Sequence, residues 1–151
     1  MTFARGYRFL DHTADVGLEA EGETLEEVFA NAAAGLFAMI AEGPVASVEE
    51  ARVEVAASDL EELLVRWLNE LLYLHDTERR LFSLFRPHIF LGEKTAPSSF
   101  KLEARVFGEQ TDPARHGRLR EVKAATYHGL WLQRRGLGTS GRYLIRVIFD
   151  I

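Results

Sequence analysis

Two stretches of the chain place apolar residues three and four positions apart, which is the spacing of one helix face. In each stretch a hydroxyl residue stands three positions before a glutamate, Thr24 before Glu27 and Ser58 before Glu61, in the pattern of a capping box. The apolar positions are Leu25, Val28, Phe29, Ala32, Ala33, Leu36, Phe37 and Ile40 in the first stretch and Leu60, Leu63, Leu64, Trp67, Leu68, Leu71 and Leu72 in the second. The pattern predicts two amphipathic helices, the second over residues 59 to about 75.

Most of the other apolar positions follow the two-residue alternation of half-buried strands. The alternation is clearest from Lys101 to Phe107, where Leu102, Ala104 and Val106 alternate with charged residues. Further candidate strands are Val16 to Glu21, Val53 to Ala56, Leu81 to Leu91 with an interruption near Pro87, Lys123 to Leu132, and Tyr143 to Phe149. Because strands crowd the second half and the long helices the first, the pattern predicts an α+β fold. We expect one domain over residues 1–151, with a mostly antiparallel sheet and two main helices packed on one side.

The composition excludes several classes of protein. A chain of 151 residues, 47% hydrophobic and 27% charged, has the values of an ordinary globular domain. No apolar run reaches the roughly 18 residues of a membrane span, and the first residues lack the pattern of a signal peptide, so we expect a cytoplasmic protein. The chain has no cysteine, so a metal would be bound by oxygen or imidazole. No P-loop, nucleophile elbow or dinucleotide-binding glycine motif is present.

Charge is divided unevenly along the chain. The net charge of −5 argues against binding of nucleic acid by the domain as a whole. Residues 1–78 carry 4 basic and 17 acidic side chains, whereas residues 79–151 carry 14 basic and 6 acidic ones. Opposite charges of this kind either pair within the fold or attract a partner, and the sequence does not distinguish the two.

Two segments carry candidate metal chemistry. Asp11 to Asp15 (DHTAD) places two carboxylates and an imidazole within five residues, although a solvated turn is the alternative because no established ligand spacing is satisfied. Asp150 and Ile151 directly follow an alternating apolar run, so the terminal carboxylate is expected beside Asp150 at a strand end. Two carboxylates about 4 Å apart repel by roughly 4 kcal/mol at an effective dielectric of 20, which a divalent cation would offset. Hard oxygen ligands favour magnesium or calcium, and an ion pair of Asp150 with an arginine is the alternative.

Other ionisable residues are less informative. Lys123 lies within an apolar run and is expected on the solvent side of its strand, where it matters only if it reaches an acidic site. His75 is expected to stabilise the end of the second helix electrostatically. The sequence offers no partner for His88 or His116.

Taken together, these motifs resemble the archease family. The segments that carry the resemblance are Asp11 to Gly17 (DHTADVG), Thr24 to Phe37 (TLEEVFANAAAGLF), Asp59 to Asp76 (DLEELLVRWLNELLYLHD), Gly108 to Asp112 (GEQTD), Glu121 to His128 (EVKAATYH) and the final Phe149-Asp150-Ile151 (FDI). They cover essentially the whole chain in order, and their combination is specific although each alone is weak. Ala125 stands where valine or isoleucine is common in the family.

The resemblance implies a small α+β protein that assists an RtcB-type RNA ligase, the enzyme class that joins tRNA halves after splicing and repairs broken RNA. Such proteins promote guanylylation of the ligase histidine and its multiple turnover, and they broaden the choice of nucleoside triphosphate. On this basis we expect an activator without enzymatic activity of its own. It would meet tRNA or other RNA and GTP through the ligase and would not contact a membrane.

The resemblance also implies a set of site residues. A divalent metal, calcium, magnesium or manganese, would be bound by Asp15, Asp150 and Ile151, the last through its main-chain or terminal carboxylate oxygens. Lys123 and His12 are candidates for the activation of the ligase.

Two other functions remain open from the sequence. A chaperone-like modulator of other RNA-processing enzymes would bind its partners without a metal. A stand-alone metal-dependent phosphoesterase would use the same carboxylates, although the sequence shows no clear general base with its own orienting partner.

Whether Asp11 and His12 would contact the metal directly or through another ligand is also open.

Overall fold

The computed structural model describes residues 3–11, 15–93, 95–136 and 141–151. The chain forms, in order, β1 (Tyr7–Asp11), β2 (Asp15–Gly22), α1 (Leu25–Ile40), β3 (Glu49–Ala57), α2 (Leu60–Glu78), β4 (Arg80–Phe90), β5 (Phe100–Gln110), α3 (Pro113–His116), β6 (Ala124–Arg135) and β7 (Arg142–Asp150). This combination of helices and strands confirms the predicted α+β class.

The strands form two sheets, one of four strands in the order β1-β2-β7-β6 and one of three in the order β3-β5-β4. Every pairing between described strands is antiparallel, as predicted. The sequence did not indicate that the strands divide between two sheets. Alternation shows which residues of a strand face the core, but it does not show which strand is the neighbour.

Both long helices contact strands of both sheets. Helix α1 packs on β1, β2, β7 and β4, and α2 packs on β3, β4, β5 and β6. The indole Nε1–H of Trp67 in α2 donates to the carbonyl oxygen of Phe29 in α1 at 3.0 Å, so the two helices are joined within the core. In the part of the chain that the structure describes, no helix is long and apolar enough to cross a membrane.

The two helix starts differ in how well the sequence predicts them. The hydroxyl of Thr24 accepts the backbone N–H of Glu27 at 3.0 Å, as the capping pattern predicts. In α2 the predicted box is wrong by one residue, because Asp59 is the cap and its carboxylate accepts the N–H of Glu62 at 2.8 Å. The N–H of Ser58 then donates to the Glu62 side chain at 2.8 Å. Aspartate caps a helix about as well as serine, so the sequence pattern is compatible with a cap at either Ser58 or Asp59.

Strand β4 is not interrupted at Pro87, contrary to the prediction. Pro87 pairs with Ala104 of β5, and the irregularity lies instead between Phe82 and Leu84. Because β4 is an edge strand, the missing N–H of a proline can face outward without breaking the ladder. The short elements β1 and α3 were not predicted, since five and four residues are too few to establish a period.

His116, for which the sequence offered no partner, is buried and bonded through both ring nitrogens. Its Nδ1 accepts the N–H of Asp112 at 2.9 Å, and its Nε2 lies 3.0 Å from the carboxylate of Glu109. Glu109 also accepts the N–H of Ala46 at 2.6 Å and the guanidinium of Arg115 at 3.0 Å. These contacts, the Ala46 N–H first and the Arg115 guanidinium next, lower the pKa of Glu109 to about 2. The cluster holds α3 and the segment after α1 against β5.

Candidate functional site

Asp15 and Asp150 lie opposite each other at one end of the ladder between β2 and β7. Asp15 is the first residue of β2, Asp150 is the last of β7, and the two are partners in the register. Directly opposed residues of an antiparallel pair project to the same face, with Cβ atoms about 4.5–5.5 Å apart. The fold therefore brings together two of the predicted metal ligands from distant parts of the sequence.

The two carboxylates have different surroundings. Asp15 is half-buried with its Oδ1 shielded from solvent, whereas Asp150 is exposed. Ile151 is half-buried and packs against the hydrophobic core, which keeps its main chain at the same end of β7. Within residues 3–11, 15–93, 95–136 and 141–151, no group of three or more histidine, aspartate or glutamate side chains is placed to bind a metal. Of the predicted ligands, the structure therefore describes two side-chain carboxylates and the main chain of Ile151 at this end of the ladder.

The DHTAD segment is described only in part. His12, a candidate for activation, lies outside the described residues, as does the side chain of Asp11. The backbone of Asp11 ends β1 and pairs with Val16 of β2, so the segment enters the sheet next to Asp15.

Lys123 is connected to the carboxylate pair through the main chain. Its N–H donates to the carbonyl oxygen of Asp150 at 2.8 Å, and the next residue, Ala124, pairs with Asp150 in the ladder between β6 and β7. The side chain of Lys123 is exposed, as expected for a lysine on the solvent side. The structure therefore brings the main chain of Lys123 directly beside Asp150 and leaves its side chain open to solvent.

A wide bulge in β6 follows this contact. Thr126 pairs with Ile148 and Trp131 pairs with Arg146, so residues 127–130 stand opposite the single residue Val147. Gly129 has a φ of 66°, which glycine adopts without the strain that a side chain would cause. The bulge exposes Tyr127 by 58% and also exposes His128. The sequence pattern predicted a regular strand here and missed the bulge.

The carboxylate pair belongs to what we call the outer face of the four-stranded sheet, the face turned away from the core. By alternation this face carries Asp15, Gly17, Glu19 and Glu21 of β2 and Arg142, Leu144, Arg146, Ile148 and Asp150 of β7. The intervening residues of the two strands, Val16, Leu18, Ala20, Ile145, Val147 and Phe149, are buried in the core.

Glu19 is buried at the centre of the outer face and is bound by two arginines. Arg8 contacts Oε1 through Nε at 2.7 Å and Nη2 at 2.6 Å, and Arg146 contacts Oε2 through Nε at 3.0 Å and Nη2 at 2.7 Å. Burial by itself raises the pKa of Glu19, but the hydrogen bonds and charges of Arg146 and Arg8 outweigh it and lower the pKa below its ordinary value. Glu19 is therefore a fixed anion that positions two guanidinium groups.

Glu21 repeats this arrangement nearer the other end of the strand. Its buried carboxylate accepts the N–H of Phe3 at 3.1 Å and the guanidinium of Arg142 at 3.1 Å. Glu19 and Glu21 come from the acidic half of the chain, and Arg142 and Arg146 come from the basic half. Some acidic side chains of the first half of the chain thus pair within the fold with basic side chains of the second half.

Comparison with known proteins gives consistent matches along the whole chain. Residues 7–151 match the family model described as Archease protein family (MTH1598/TM1083). The chain is 36% identical over 146 residues to the protein named archease of Sulfolobus acidocaldarius, covering 96% of this chain and 98% of the relative. It is 40% identical over 148 residues to that of Methanothermobacter thermautotrophicus, covering 97% and 99%. The fold is similar to the solution structure of Methanobacterium thermoautotrophicum protein 1598, with a TM-score of 0.77, 38% identity and coverage of 97% and 99%.

Proposed function

The chain belongs to the archease family, and from this premise we propose that it activates an RtcB-type RNA ligase. Family membership supports an accessory role in RNA processing and a protein-partner role, without catalysis by the chain itself. The proposed activation consists of faster guanylylation of the ligase, multiple turnover, and a broader choice of nucleoside triphosphate. GTP and tRNA or other RNA would then be met through the ligase.

The register pairing of Asp15 with Asp150 is the observation that supports this proposal best. Together with the main-chain oxygens of Ile151, these carboxylates form a donor set made only of hard oxygen atoms, which suits calcium, magnesium or manganese. Asp150 is exposed, so a cation can enter from solvent and retain water ligands. When bound, the cation would supply a positive centre for phosphate oxygens.

Lys123 supports the same role from the neighbouring strand. Its main chain is held by the hydrogen bond to Asp150, while its side chain is free to extend into solvent. An ammonium group on a flexible stem suits contact with an anionic group of a partner. We therefore propose that Lys123 contacts the nucleotide-bearing end of the ligase. His12 is proposed for activation on the resemblance alone.

The proposal is tested with purified protein, a cognate RtcB-type ligase, GTP and a divalent metal. We expect faster formation of the guanylylated ligase and more than one joined RNA per ligase molecule. The Asp150→Asn variant should lose this effect, whereas Arg52→Ala, an exposed change in β3 of the other sheet, should keep it. An unchanged guanylylation rate and turnover with the native protein would refute the proposal.

The same reagents separate the two alternatives. A chaperone-like modulator predicts activation that is insensitive to a chelator titrated against the protein and insensitive to Asp150→Asn. A stand-alone phosphoesterase predicts hydrolysis of a phosphodiester by the protein without ligase, and that activity should disappear in Asp15→Asn. Either result would replace the metal-dependent activator.

A further inference from the structure

A pocket of about 550 Å³ opens on the outer face, beyond the carboxylate pair, and its charged lining is Arg8, Arg135, Arg142 and Arg146 with Glu19 and Glu21. Four arginines against two glutamates leave a net charge of 4 − 2 = +2 in the pocket. We propose that this pocket binds the phosphates of single-stranded RNA. The proposal concerns direct RNA contact by this chain and does not depend on activation of a ligase.

The arginines retain hydrogen-bonding capacity despite their ion pairs. A guanidinium group has five N–H donors. Arg8 and Arg146 each direct two nitrogens at Glu19, and Arg142 directs one at Glu21, so more than half of their donors stay available. Their side chains are 39–47% exposed. The buried glutamates therefore hold the guanidinium groups in place. Less side-chain conformational entropy is then lost when a phosphate binds.

Arg135 adds a positive charge that nothing in the described structure neutralises. It ends β6 opposite Arg142 and is exposed, and its side chain makes no hydrogen bond or ion pair with any other described side chain. Arg142 is already paired with Glu21, so the charge of its register partner Arg135 is available to an anion from outside the protein. Both arginines line the pocket, where they would meet a phosphate of an RNA strand that lies along the sheet.

Aromatic rings favour a nucleic acid over an acidic peptide as the occupant. The half-buried Trp131 lines the pocket opposite Arg146, whose guanidinium carbon lies 5.3 Å from the ring centroid. Phe3 lines it also, with the guanidinium carbon of Arg8 at 4.7 Å from its ring centroid. Splayed bases of single-stranded RNA stack on aromatic rings and guanidinium planes, and proteins that bind single strands combine such surfaces with positive charge.

The pocket and the carboxylate pair share one face of the sheet. Glu19 and Arg146 are register partners four residues along β2 from Asp15, a separation of about 13 Å at strand geometry. Between them the face is apolar: Gly17 lies between the side chains of Leu10 and Ile148, and a Cβ on Gly17 would approach Leu10 Cβ to 3.0 Å. An RNA strand held by the arginines would therefore run along the same face that carries Asp150.

The other sheet provides an internal comparison. A pocket of about 290 Å³ there is lined by Arg52, Arg86 and Arg105 together with two glutamates, and no Phe, Tyr or Trp ring lines it. Arginines therefore line a pocket on each sheet. Arg86 and Arg105 also lie over the ring of Phe107, at 5.8 and 5.4 Å from its centroid, but this ring does not line their pocket, whereas Trp131 lines the pocket of the outer face. Arg52 is exposed on a strand, as Arg135 is, which makes Arg52→Ala a matched control.

The experiment uses the two tryptophans of the chain. Trp67 is fully buried, so in a titration of ¹⁵N-labelled protein with a six-residue oligouridine RNA its indole N–H signal should stay in place. The indole signal of Trp131 should shift in a saturable manner. In fluorescence anisotropy with the labelled RNA, Arg135→Ala should weaken binding roughly threefold to tenfold and reduce the slope of log K against log salt by about 0.7, the value for one lost phosphate contact.

The controls make each outcome decisive. Arg135→Ala leaves the pairs of Glu19 and Glu21 intact, so its melting temperature should equal that of the native protein. Absence of a saturable shift at Trp131, or an equal loss of affinity in Arg52→Ala, would overturn the proposal. A shift of Trp131 by inorganic phosphate or by polyglutamate at the same concentration would also overturn it, in favour of a phosphate site or an acidic protein segment respectively.

Discussion

The side chain of Asn69 in α2 bonds to both main-chain polar groups of Ala125 in β6. Its Oδ1 accepts the N–H of Ala125 at 2.8 Å, and its Nδ2 donates to the carbonyl oxygen of Ala125 at 3.2 Å. One helix side chain thus fixes the start of β6, two residues after Lys123 and just before the bulge. The position of Lys123 beside Asp150 depends on this contact as well as on the ladder with β7.

The Asn69→Ala variant is expected to destabilise the protein. Ala125 is buried, so its N–H and carbonyl oxygen would lose their partner without full access to water. The cost of such unsatisfied groups is about 1–3 kcal/mol, which corresponds to a fall in melting temperature of roughly 2–4 °C per kcal/mol in a chain of this size. Asn69→Asp keeps the acceptor for the N–H but places a second carboxylate oxygen against the carbonyl oxygen of Ala125, so it should also be destabilised. If the free energy of unfolding of Asn69→Ala, measured in urea, equals that of the native protein, Asn69 does not stabilise the start of β6.

Lys123→Ala is expected to reduce ligase activation without a loss of stability. Alanine retains the N–H that bonds to Asp150, and the lysine side chain is exposed, so the unfolding free energy should change by less than about 0.5 kcal/mol. Loss of one charge-assisted contact of about 1.4 kcal/mol lowers the guanylylation rate roughly tenfold. Lys123→Arg keeps the charge and serves as the control. A large fall in melting temperature for Lys123→Ala would show instead that the lysine is structural.

Much of the fold could be predicted because its elements are long enough to show a period. The stripes of α1 and α2 are buried as predicted, and the alternation of β5 continues over its described length. Strand pairing could not be predicted in this way. Asp15 and Asp150 were expected in one site only through the resemblance to a family, and nothing local to either residue indicates that β2 and β7 are neighbours.

The charged contacts of the outer face could not be predicted from the sequence for the same reason. Glu19 alternates with apolar residues and has the pattern of an ordinary solvent-side residue, yet it is 4% exposed because Arg8 and Arg146 cover it from the two flanking strands. Asn69 gave no signal either, since a single amide within an amphipathic helix is common on a polar face. Contacts of this kind depend on which strands are adjacent, which composition and spacing do not determine.

Acid is expected to destabilise the protein partly through Glu109. Its pKa is lowered from 4.5 to about 2 in the folded state, chiefly by the Ala46 N–H and the Arg115 guanidinium. The unfolded chain therefore binds a proton at a higher pH than the folded chain, and stability rises with pH through this range. The contribution is complete above about pH 4.5 and is lost as the pH falls towards 2. Melting temperatures between pH 6 and 2 should fall less steeply for Glu109→Gln than for the native protein, although the variant is less stable at neutral pH.

A matched variant tests whether that pH dependence belongs to Glu109. Glu70→Gln changes a half-buried glutamate of α2 whose side chain makes no hydrogen bond or ion pair among the described residues. It should leave the slope of melting temperature against pH as in the native protein. Equal slopes for Glu109→Gln and the native protein would contradict the assignment.

Removal of the carboxylate of Asp150 is expected to separate metal binding from folding. Asp150 is exposed and stands opposite Asp15, so in the absence of metal Asp150→Asn should be at least as stable as the native protein, because it relieves repulsion between two carboxylates. A ligand that binds only the folded state at 100 times its Kd stabilises it by about 2.7 kcal/mol. Saturating calcium, magnesium or manganese should therefore raise the melting temperature of the native protein, and this rise should disappear in Asp150→Asn. Asp76→Asn, an exposed carboxylate of α2, should retain the rise. Calorimetric titration that gives the same metal affinity for Asp150→Asn and the native protein would remove Asp150 from the ligand set.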